Sequence, residues 1–390
     1  MRRRPRAADT VGRCHLMRSL VVTAWFPDTD IPSRTPFVLE HCWALQEAGH
    51  LVSVVHINIG RESRPTVQES YEGVPVTRVW LDVTNPLSFV RVSRLVSRGL
   101  RGADVLHTMA FSAALFAAPA WLFRRAPWAH TEHWNGVVNP ASVGTLWRSV
   151  SWLRYVLRLP HAVTGVTREL ADEMAKFSRP GATHVVPCVV QNPNPILPFP
   201  TEPPLRLVGV GALVDRKQPL LALETVARLV QRGTDVQYTL VGKGPLMAAA
   251  QKRAEELGIA DRVVFTGPIG PSEVTEHLSR AHLFFLPSKQ ENFFTAVAEA
   301  QAAGRPAAVP LSGGFDDYCT DQNSVLTDSW DPEDLADAVL LAWERFHAVS
   351  PDRIADTVRE RFSRKTVGAT FDEIYRLITG RSNRAPKISG

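Results

Sequence analysis

Short β-branched runs alternate with helical stretches in two series along this chain, and the segment between the series can belong to neither. Residues 192–204, NPNPILPFPTEPP, hold six prolines in thirteen positions. Proline fixes φ and has no amide donor, so neither a helix nor an inner strand can run through them. The segment reads as a stiff, extended linker and marks the main domain boundary. Two domains of ordinary size account for the 390 residues.

Before the linker, strands are expected at 20–24 (LVVTA), 52–57, 103–107, 127–131, 162–166 and 183–186. Helices are expected at 37–48, 110–124, 146–158 and 168–178. After it, strands fall at 205–209, 238–241, 263–266, 283–287 and 306–309, with helices at 218–232, 245–257, 271–279, 292–303, 332–346 and 353–378. Alternation of this kind gives a parallel sheet with helices on both faces. The expected fold class is therefore α/β: two doubly wound domains facing a central cleft. Ligands in such sheets bind beyond the carboxyl ends of the strands, so the cleft-facing loops should carry the function.

Charge narrows the function classes. The net +5 resides in the first twenty residues, which hold six Arg and one Asp, and the remaining 370 sum to zero. A neutral body argues against a nucleic-acid partner, which needs charge along a folded face. Residues 1–17 read as a disordered basic tail and 379–390 as a frayed one, with Met17 a candidate start. Cys14, Cys42, Cys188 and Cys319 are widely spaced, form no C-x-x-C pair and suit a reducing, cytoplasmic interior. No apolar run is long enough to span a bilayer.

Six segments carry candidate chemistry, and each also has a plainer explanation. Glu291 and Glu299 stand eight residues apart around a helix start, where the free amides of 292–296 offer an anion site; the alternative is a capping and a surface Glu. Gly211 to Lys217 leaves a strand and puts Arg216 and Lys217 in the following loop, where a cation could hold a leaving diphosphate, or simply be solvated. Gly242 opens a glycine turn that could approach a nucleotide closely, or only tighten a βα turn. His130 and His133 flank a strand end; alternation sends their rings to opposite faces, against a shared metal. One of them could serve a phosphate or a reacting hydroxyl, or pack in the core. Asp28 and Asp30 could chelate a metal ion, as could Asp316 and Asp317, but both pairs fit turns better. Residues 146–158 interleave aromatics and arginines, suiting either an anionic membrane surface or a helix with snorkelling stems.

These segments, in this order, resemble the retaining nucleotide-sugar glycosyltransferases of family four, which have the two-domain, Rossmann-like GT-B architecture. The likeness covers about residues 18–378 and is strongest over 205–310. It implies a first, acceptor-side domain over 18–191, a nucleotide-sugar domain over 205–360, and a final helix within 361–378 that crosses back. Glu291 and Glu299 match the family's E-x7-E pair. By that resemblance Glu291 contacts donor-sugar hydroxyls, Glu299 binds the ribose, and main chain from Phe293, Phe294, Thr295 and Ala296 meets the phosphates. Lys217 matches the diphosphate lysine, with Gly211 opening its loop. The family's partner arginine is Ala212 here, a place Arg216 could fill. Ile269 falls near the base, Gly242 near the nucleotide and His133 beside the reacting centre. Thr35 and Phe294 replace family glycines and are expected to crowd the pocket.

The resemblance implies no cofactor and no metal, with a UDP-sugar ahead of a GDP-sugar as co-substrate. The acceptor is a hydroxyl on a saccharide, a lipid-linked saccharide or a natural product. A cytoplasmic enzyme of bacterial carbohydrate biosynthesis is the expectation, with peripheral membrane contact through the first domain. A nucleotide-sugar epimerase and a non-catalytic partner subunit are the alternatives on the same fold.

Overall fold

Two predominantly parallel sheets, one on each side of the linker, organise the protein in a computed structural model that describes residues 16–28, 36–62, 64–137, 140 and 144–381. The first domain runs β1 (Arg18–Thr23), α1 (Pro36–Glu47), β2 (Leu51–Gly60), β3 (Val67–Tyr71), β4 (Val74–Asp82), α2 (Pro86–Gly99), β5 (Val105–Met109) and α3 (Phe111–Arg124). It continues with β6 (Trp128–Glu132), α4 (Thr145–Ser149), β7 (Ala162–Gly165), α5 (Arg168–Ala175) and β8 (Thr183–Val185). Its sheet has the order β3-β4-β2-β1-β5-β6-β7-β8. Strands β5 and β6 are buried at every residue, as strands covered on both faces must be.

The second domain runs β9 (Leu205–Val210), α6 (Pro219–Gln231), β10 (Val236–Val241), α7 (Met247–Glu256), β11 (Val263–Gly267), α8 (Pro271–Ser279) and β12 (Leu283–Phe285). Then come α9 (Thr295–Ala302), β13 (Ala307–Pro310), β14 (Ser324–Thr327), α10 (Pro332–Phe346), α11 (Pro351–Asp356) and α12 (Arg364–Thr379). The sheet order is β11-β10-β9-β12-β13-β14. Strand order therefore reverses between β1 and β5 in one sheet and between β9 and β12 in the other. Each reversal opens a crevice at the strands' carboxyl ends, and the loops after β9 and β12 hold Lys217 and Glu291.

Helix α12 returns to the first domain. Its Val367, Phe371, Ile374 and Tyr375 join Val21, Val38 and Leu45 in one core. Gly368 permits this approach, since a Cβ there would lie 2.2 Å from the Ala44 carbonyl oxygen of α1. The Tyr375 hydroxyl meets His107 Nδ1 at 2.8 Å, and Arg364 holds Glu40 through two bonds of 2.7 and 2.9 Å. The crossing helix starts at Arg364, not at residue 361.

Several expectations need correction. Residues 61–99, outside the expected elements, hold a hairpin, β3–β4, and a helix, α2, whose buried Ser88, Val92 and Val96 do recur at helical spacing. The hairpin is antiparallel and turns at Glu72 and Gly73, both with positive φ, so its polar edge strand lacks an apolar run. The expected helix at 146–158 is a short α4 followed by a 3-10 turn over Ser151–Arg158. The expected helix at 353–378 breaks into α11 and α12. Met17 is fully buried and its carbonyl accepts the Leu51 N–H at 2.9 Å, so it belongs to the first domain and not to a tail. Cys14, Asp30 and Thr35 lie outside the described residues.

Candidate active site

The loop after β9 is built for close packing. Gly211 sits against Lys217 and Leu286, and a Cβ on Gly242 would fall 2.1 Å from the Gly211 carbonyl oxygen. Gly242 also has φ +134°, a conformation other residues rarely adopt. The chain then makes a 3-10 turn, Asp215–Lys217, which brings both cations back over the strand ends.

Those cations converge on one carboxylate. Lys217 Nζ pairs with Glu291 Oε1, and Arg216 Nη1 reaches the same oxygen at 3.5 Å. Ser288 donates to it at 2.6 Å. The two loops are joined further by Lys289 N–H to the Arg216 carbonyl, 2.7 Å, and by Arg216 Nη1 to the Gln290 carbonyl, 3.1 Å. Burial lowers the Lys217 pKa, and Glu291 partly restores it. Gly313 backs the cluster; a Cβ there would stand 1.8 Å from the Glu291 carbonyl oxygen.

Helix α9 starts at Thr295, three residues later than expected, because Phe294 caps it with φ 44°. Glu291 therefore lies on the loop before the helix. By helix geometry the open amides are those of Thr295 and Ala296, ahead of the first internal bond from Val297 N–H to the Phe294 carbonyl. The Phe293 and Phe294 rings do not crowd a pocket. Both are buried: Phe294 packs on Phe284 and Phe315 with centroids 5.7 and 5.5 Å away, and Phe293 on Phe362 at 5.1 Å. Lys217 Nζ lies 4.6 Å over the Phe294 ring, a cation–π contact that helps seat the ammonium.

Glu299 faces the first domain. Burial pushes its carboxyl up to about 7, and the Glu40 charge adds to the effect. The Thr295 hydroxyl bonds Cys188 Sγ, whose thiol is pushed up to about 12 by burial. Ile269, just beyond β11, is half-buried against the apolar core.

His133 reaches this region from the end of β6. Its carbonyl accepts the Asn292 side chain at 2.8 Å, a bond between the domains beside Glu291. Its ring stacks on Phe37 and His41, centroids 4.4 and 5.2 Å away. Nε2 is buried without a hydrogen-bond partner among the described residues. Burial, and then the neighbouring His41, His130 and His107, hold its pKa well below the usual range, so the ring is neutral. His130 turns away, to the Thr108 hydroxyl at 2.9 Å and to Glu132 at 3.4 Å, so the two imidazoles do not share a site. Asp317 joins the domains: it accepts the Arg168 N–H at the start of α5, 2.7 Å. Ser288 was not singled out by the sequence, Asn292 only for its amide and Asp317 only as half of a possible chelating pair, because the side-chain roles of Asn292 and Asp317 depend on contacts 159 and 149 residues away.

Comparison with known proteins places this geometry. A family model described as "Glycosyltransferase Family 4" matches residues 36–191, and one described as "Glycosyl transferases group 1" matches residues 204–345. The chain belongs to glycosyltransferase family four. It is 37% identical over 106 residues to the Vi polysaccharide biosynthesis protein VipC/TviE of Salmonella typhi, covering 27% of this chain and 18% of that protein. It is 35% identical over 137 residues to a D-inositol 3-phosphate glycosyltransferase of Mycobacteroides abscessus, covering 33% and 31%. It is 28% identical over 156 residues to a 2-deoxystreptamine glucosyltransferase of Streptomyces kanamyceticus, covering 40% of each. These matches span less than half the length of each relative. The fold is shared more widely. The lipopolysaccharide outer core galactosyltransferase WaaB superposes with a TM-score of 0.71 at 16% identity, over 92% of this chain and 99% of that one. Anabaena HepE in complex with UDP and glucose gives 0.69 at 16%, over 92% and 98%. At such identity the likeness is one of fold, and the fold of this family-four chain is GT-B.

Proposed function

We propose that this chain is a retaining glycosyltransferase that moves a sugar from a nucleoside-diphosphate sugar to an acceptor hydroxyl. The observation that carries the reading is the convergence of Lys217, Arg216 and Ser288 on Glu291 at the β9–β12 crevice, beside the opening amides of α9. A diphosphate entering there would draw the two cations from Glu291. The freed carboxylate could then accept hydrogen bonds from sugar hydroxyls. Glu299, further along α9, would take the ribose. The base would lie towards Ile269 and Gly242, with uridine ahead of guanosine on the habit of the family.

A double displacement would need a carboxylate at the anomeric carbon, whereas Glu291 is assigned to the distal hydroxyls. The reading is therefore front-face attack. The bond from the anomeric carbon to the diphosphate oxygen breaks as the acceptor oxygen arrives on the same face, and a leaving phosphate oxygen takes the hydroxyl proton. Lys217, Arg216 and the amides of Thr295 and Ala296 stabilise the departing charge. His133 lines the reacting centre. These groups do the work a metal would do elsewhere, so a chelator should change little. The acceptor is a hydroxyl on a saccharide, a lipid-linked saccharide or a natural product; relatives named for D-inositol 3-phosphate and for 2-deoxystreptamine support a hydroxyl-bearing small molecule or headgroup. A cytoplasmic site of action accompanies the reading. The described cysteines are free, and no helix among the described residues is long and apolar enough to cross a membrane.

Thermal shift with UDP, GDP, ADP and dTDP, free and as their sugars, tests the site. A ligand at 100 times its dissociation constant stabilises by about 2.7 kcal/mol. The expected outcome is one selective shift, lost in Glu299→Ala. No shift with any nucleotide would overturn the donor site in favour of a non-catalytic subunit. Turnover of donor to a second sugar nucleotide without acceptor would indicate an epimerase.

A further inference from the structure

Strand β6 supplies the acceptor for its own end. Its ladder stops at Glu132, opposite Gly165 of β7, so the N–H groups of His133 and Trp134 lie beyond it. Main-chain donors at the edge of a core must be satisfied somewhere. Both go to one atom: Glu132 Oε1 accepts the His133 N–H at 2.9 Å and the Trp134 N–H at 2.8 Å. The Glu132 side chain thus folds back over its own main chain and bends it into a turn.

Glu132 is fully buried, a costly place for a carboxyl group unless its oxygens are used. Its second oxygen, Oε2, faces His130 Nε2 at 3.4 Å, and neither atom has a hydrogen-bond partner among the described residues. His130 is held from behind. Trp128 Nε1 donates to the Thr108 hydroxyl at 2.9 Å, and that hydroxyl meets His130 Nδ1 at 2.9 Å. The indole N–H takes one lone pair of the Thr108 oxygen, so the hydroxyl proton is free for Nδ1. The imidazole proton then falls on Nε2, towards Oε2. The turn that Glu132 makes is also where the domains touch. The His133 carbonyl accepts the Asn292 side chain at 2.8 Å, next to Glu291, and the His133 ring lies on Phe37 and His41.

We propose that Glu132 is a positioning residue of the candidate site. By accepting both N–H groups it holds the His133 turn, and through that turn it fixes the His133 carbonyl on Asn292 and the His133 ring beside the reacting centre. Glu132 itself touches no substrate. Its effect on turnover rests on the glycosyl-transfer reading above; its effect on the turn does not.

Glu132→Met and Glu132→Gln separate the acceptor from the packing. Both keep the length of the side chain, but only glutamine keeps an oxygen for the two N–H groups. The first readout is residue-resolved amide hydrogen exchange on the full chain. In the unchanged chain the His133 and Trp134 amides should exchange at least about a hundredfold slower than open amides. Glu132→Met should lose at least about tenfold of that protection at these two amides, with β6 itself unchanged, and Glu132→Gln should keep it within about threefold. The second readout is turnover. A misplacement of about 1 Å costs on the order of a hundredfold, so Glu132→Met should lower kcat by about that factor. Its dissociation constant for UDP, held by the second domain, should stay within about twofold, and Glu132→Gln should return kcat to within about fivefold of native. Asn292→Ala should lower kcat in the native chain but by less than about twofold in Glu132→Met, because both act through one carbonyl. Fast exchange of the two amides in the unchanged chain overturns the proposal without any variant, so a Glu132→Met chain that fails to fold does not protect it. Full kcat in Glu132→Met, equal losses in the Met and Gln variants, or additive losses with Asn292→Ala also overturn it. If no nucleotide binds the unchanged chain, the donor reading fails and the exchange readout still decides the role of Glu132.

Discussion

Lys217 and Glu291 form a largely buried ion pair that Arg216 and Ser288 reinforce. Breaking such a pair leaves a charge without its partner, at a cost of about 3–5 kcal/mol. Lys217→Met should fall at the lower end, about 3 kcal/mol by urea denaturation, because Arg216 still reaches Glu291; if our reading of the site holds, turnover should also drop by orders of magnitude. A Lys217→Met enzyme with full turnover would remove that residue from the chemistry. Phe294 presents opposing effects. Its φ of 44° costs a non-glycine residue about 1 kcal/mol. Its buried ring returns more, since deleting a core Phe costs about 3–5 kcal/mol. Phe294→Gly should therefore destabilise the fold, although glycine suits the backbone. Glu299 gives a pH signature. Burial raises its carboxyl to about 7 from its ordinary value of 4.5. Between those pH values the unfolded chain has lost the proton that the folded chain keeps, so the contribution of Glu299 to stability falls as pH rises through that window and is flat above it. The buried histidines act oppositely: His41, lowered to about 4 by burial, costs stability as pH falls from 6.5 towards 4. The difference in thermal midpoint between the native chain and Glu299→Gln, followed from pH 5 to 8, isolates the carboxyl and should shift against the native chain as pH rises.

At the scale of elements, α12 decides how the last part of the chain is used. It seals the outer face of the first sheet through Phe371 and Tyr375, and Gly368 lets it lie against α1. Gly368→Val would push side-chain atoms into the Ala44 carbonyl, and overpacking of this kind costs about 1–3 kcal/mol. A fall in thermal midpoint should follow, and an unchanged midpoint would show that the helices can part freely. Periodicity located most strands and helices of both domains, since a strand buried on both faces needs a continuous apolar run and an amphipathic helix needs a stripe. It failed at β3, an exposed edge strand, and at 151–158, where a helical pattern of aromatics and arginines winds as a 3-10 turn against α3.

For the whole molecule, the candidate site is held between domains by a few polar contacts. Asn292 reaches the His133 carbonyl and Asp317 takes the first N–H of α5, while within the second domain Arg361 steadies Asp317 by donating to its carbonyl at 2.6 Å. Asp317→Ala removes one of them. Because the Arg168 side chain is well exposed, the cost in stability should be below about 1 kcal/mol. The effect should instead appear in domain geometry: small-angle scattering should give a larger radius of gyration. An unchanged radius would mean that α12 and the Asn292–His133 bond suffice to fix the arrangement.

The sequence by itself determined the two-domain α/β plan, the break at 192–204, and the segments bearing Lys217, Glu291 and Glu299. Each follows from local chemistry: proline geometry, side-chain period, and the glycines that end strands. Only the tertiary structure decided that Arg216 shares the Glu291 carboxylate with Lys217, that the Phe294 ring turns into the core, and that Asn292 reaches His133. Those outcomes depend on which strand ends are neighbours, and chain distance does not carry that. The β9–β12 reversal brings residues 217 and 291 together across 74 positions, and no spacing rule extends so far.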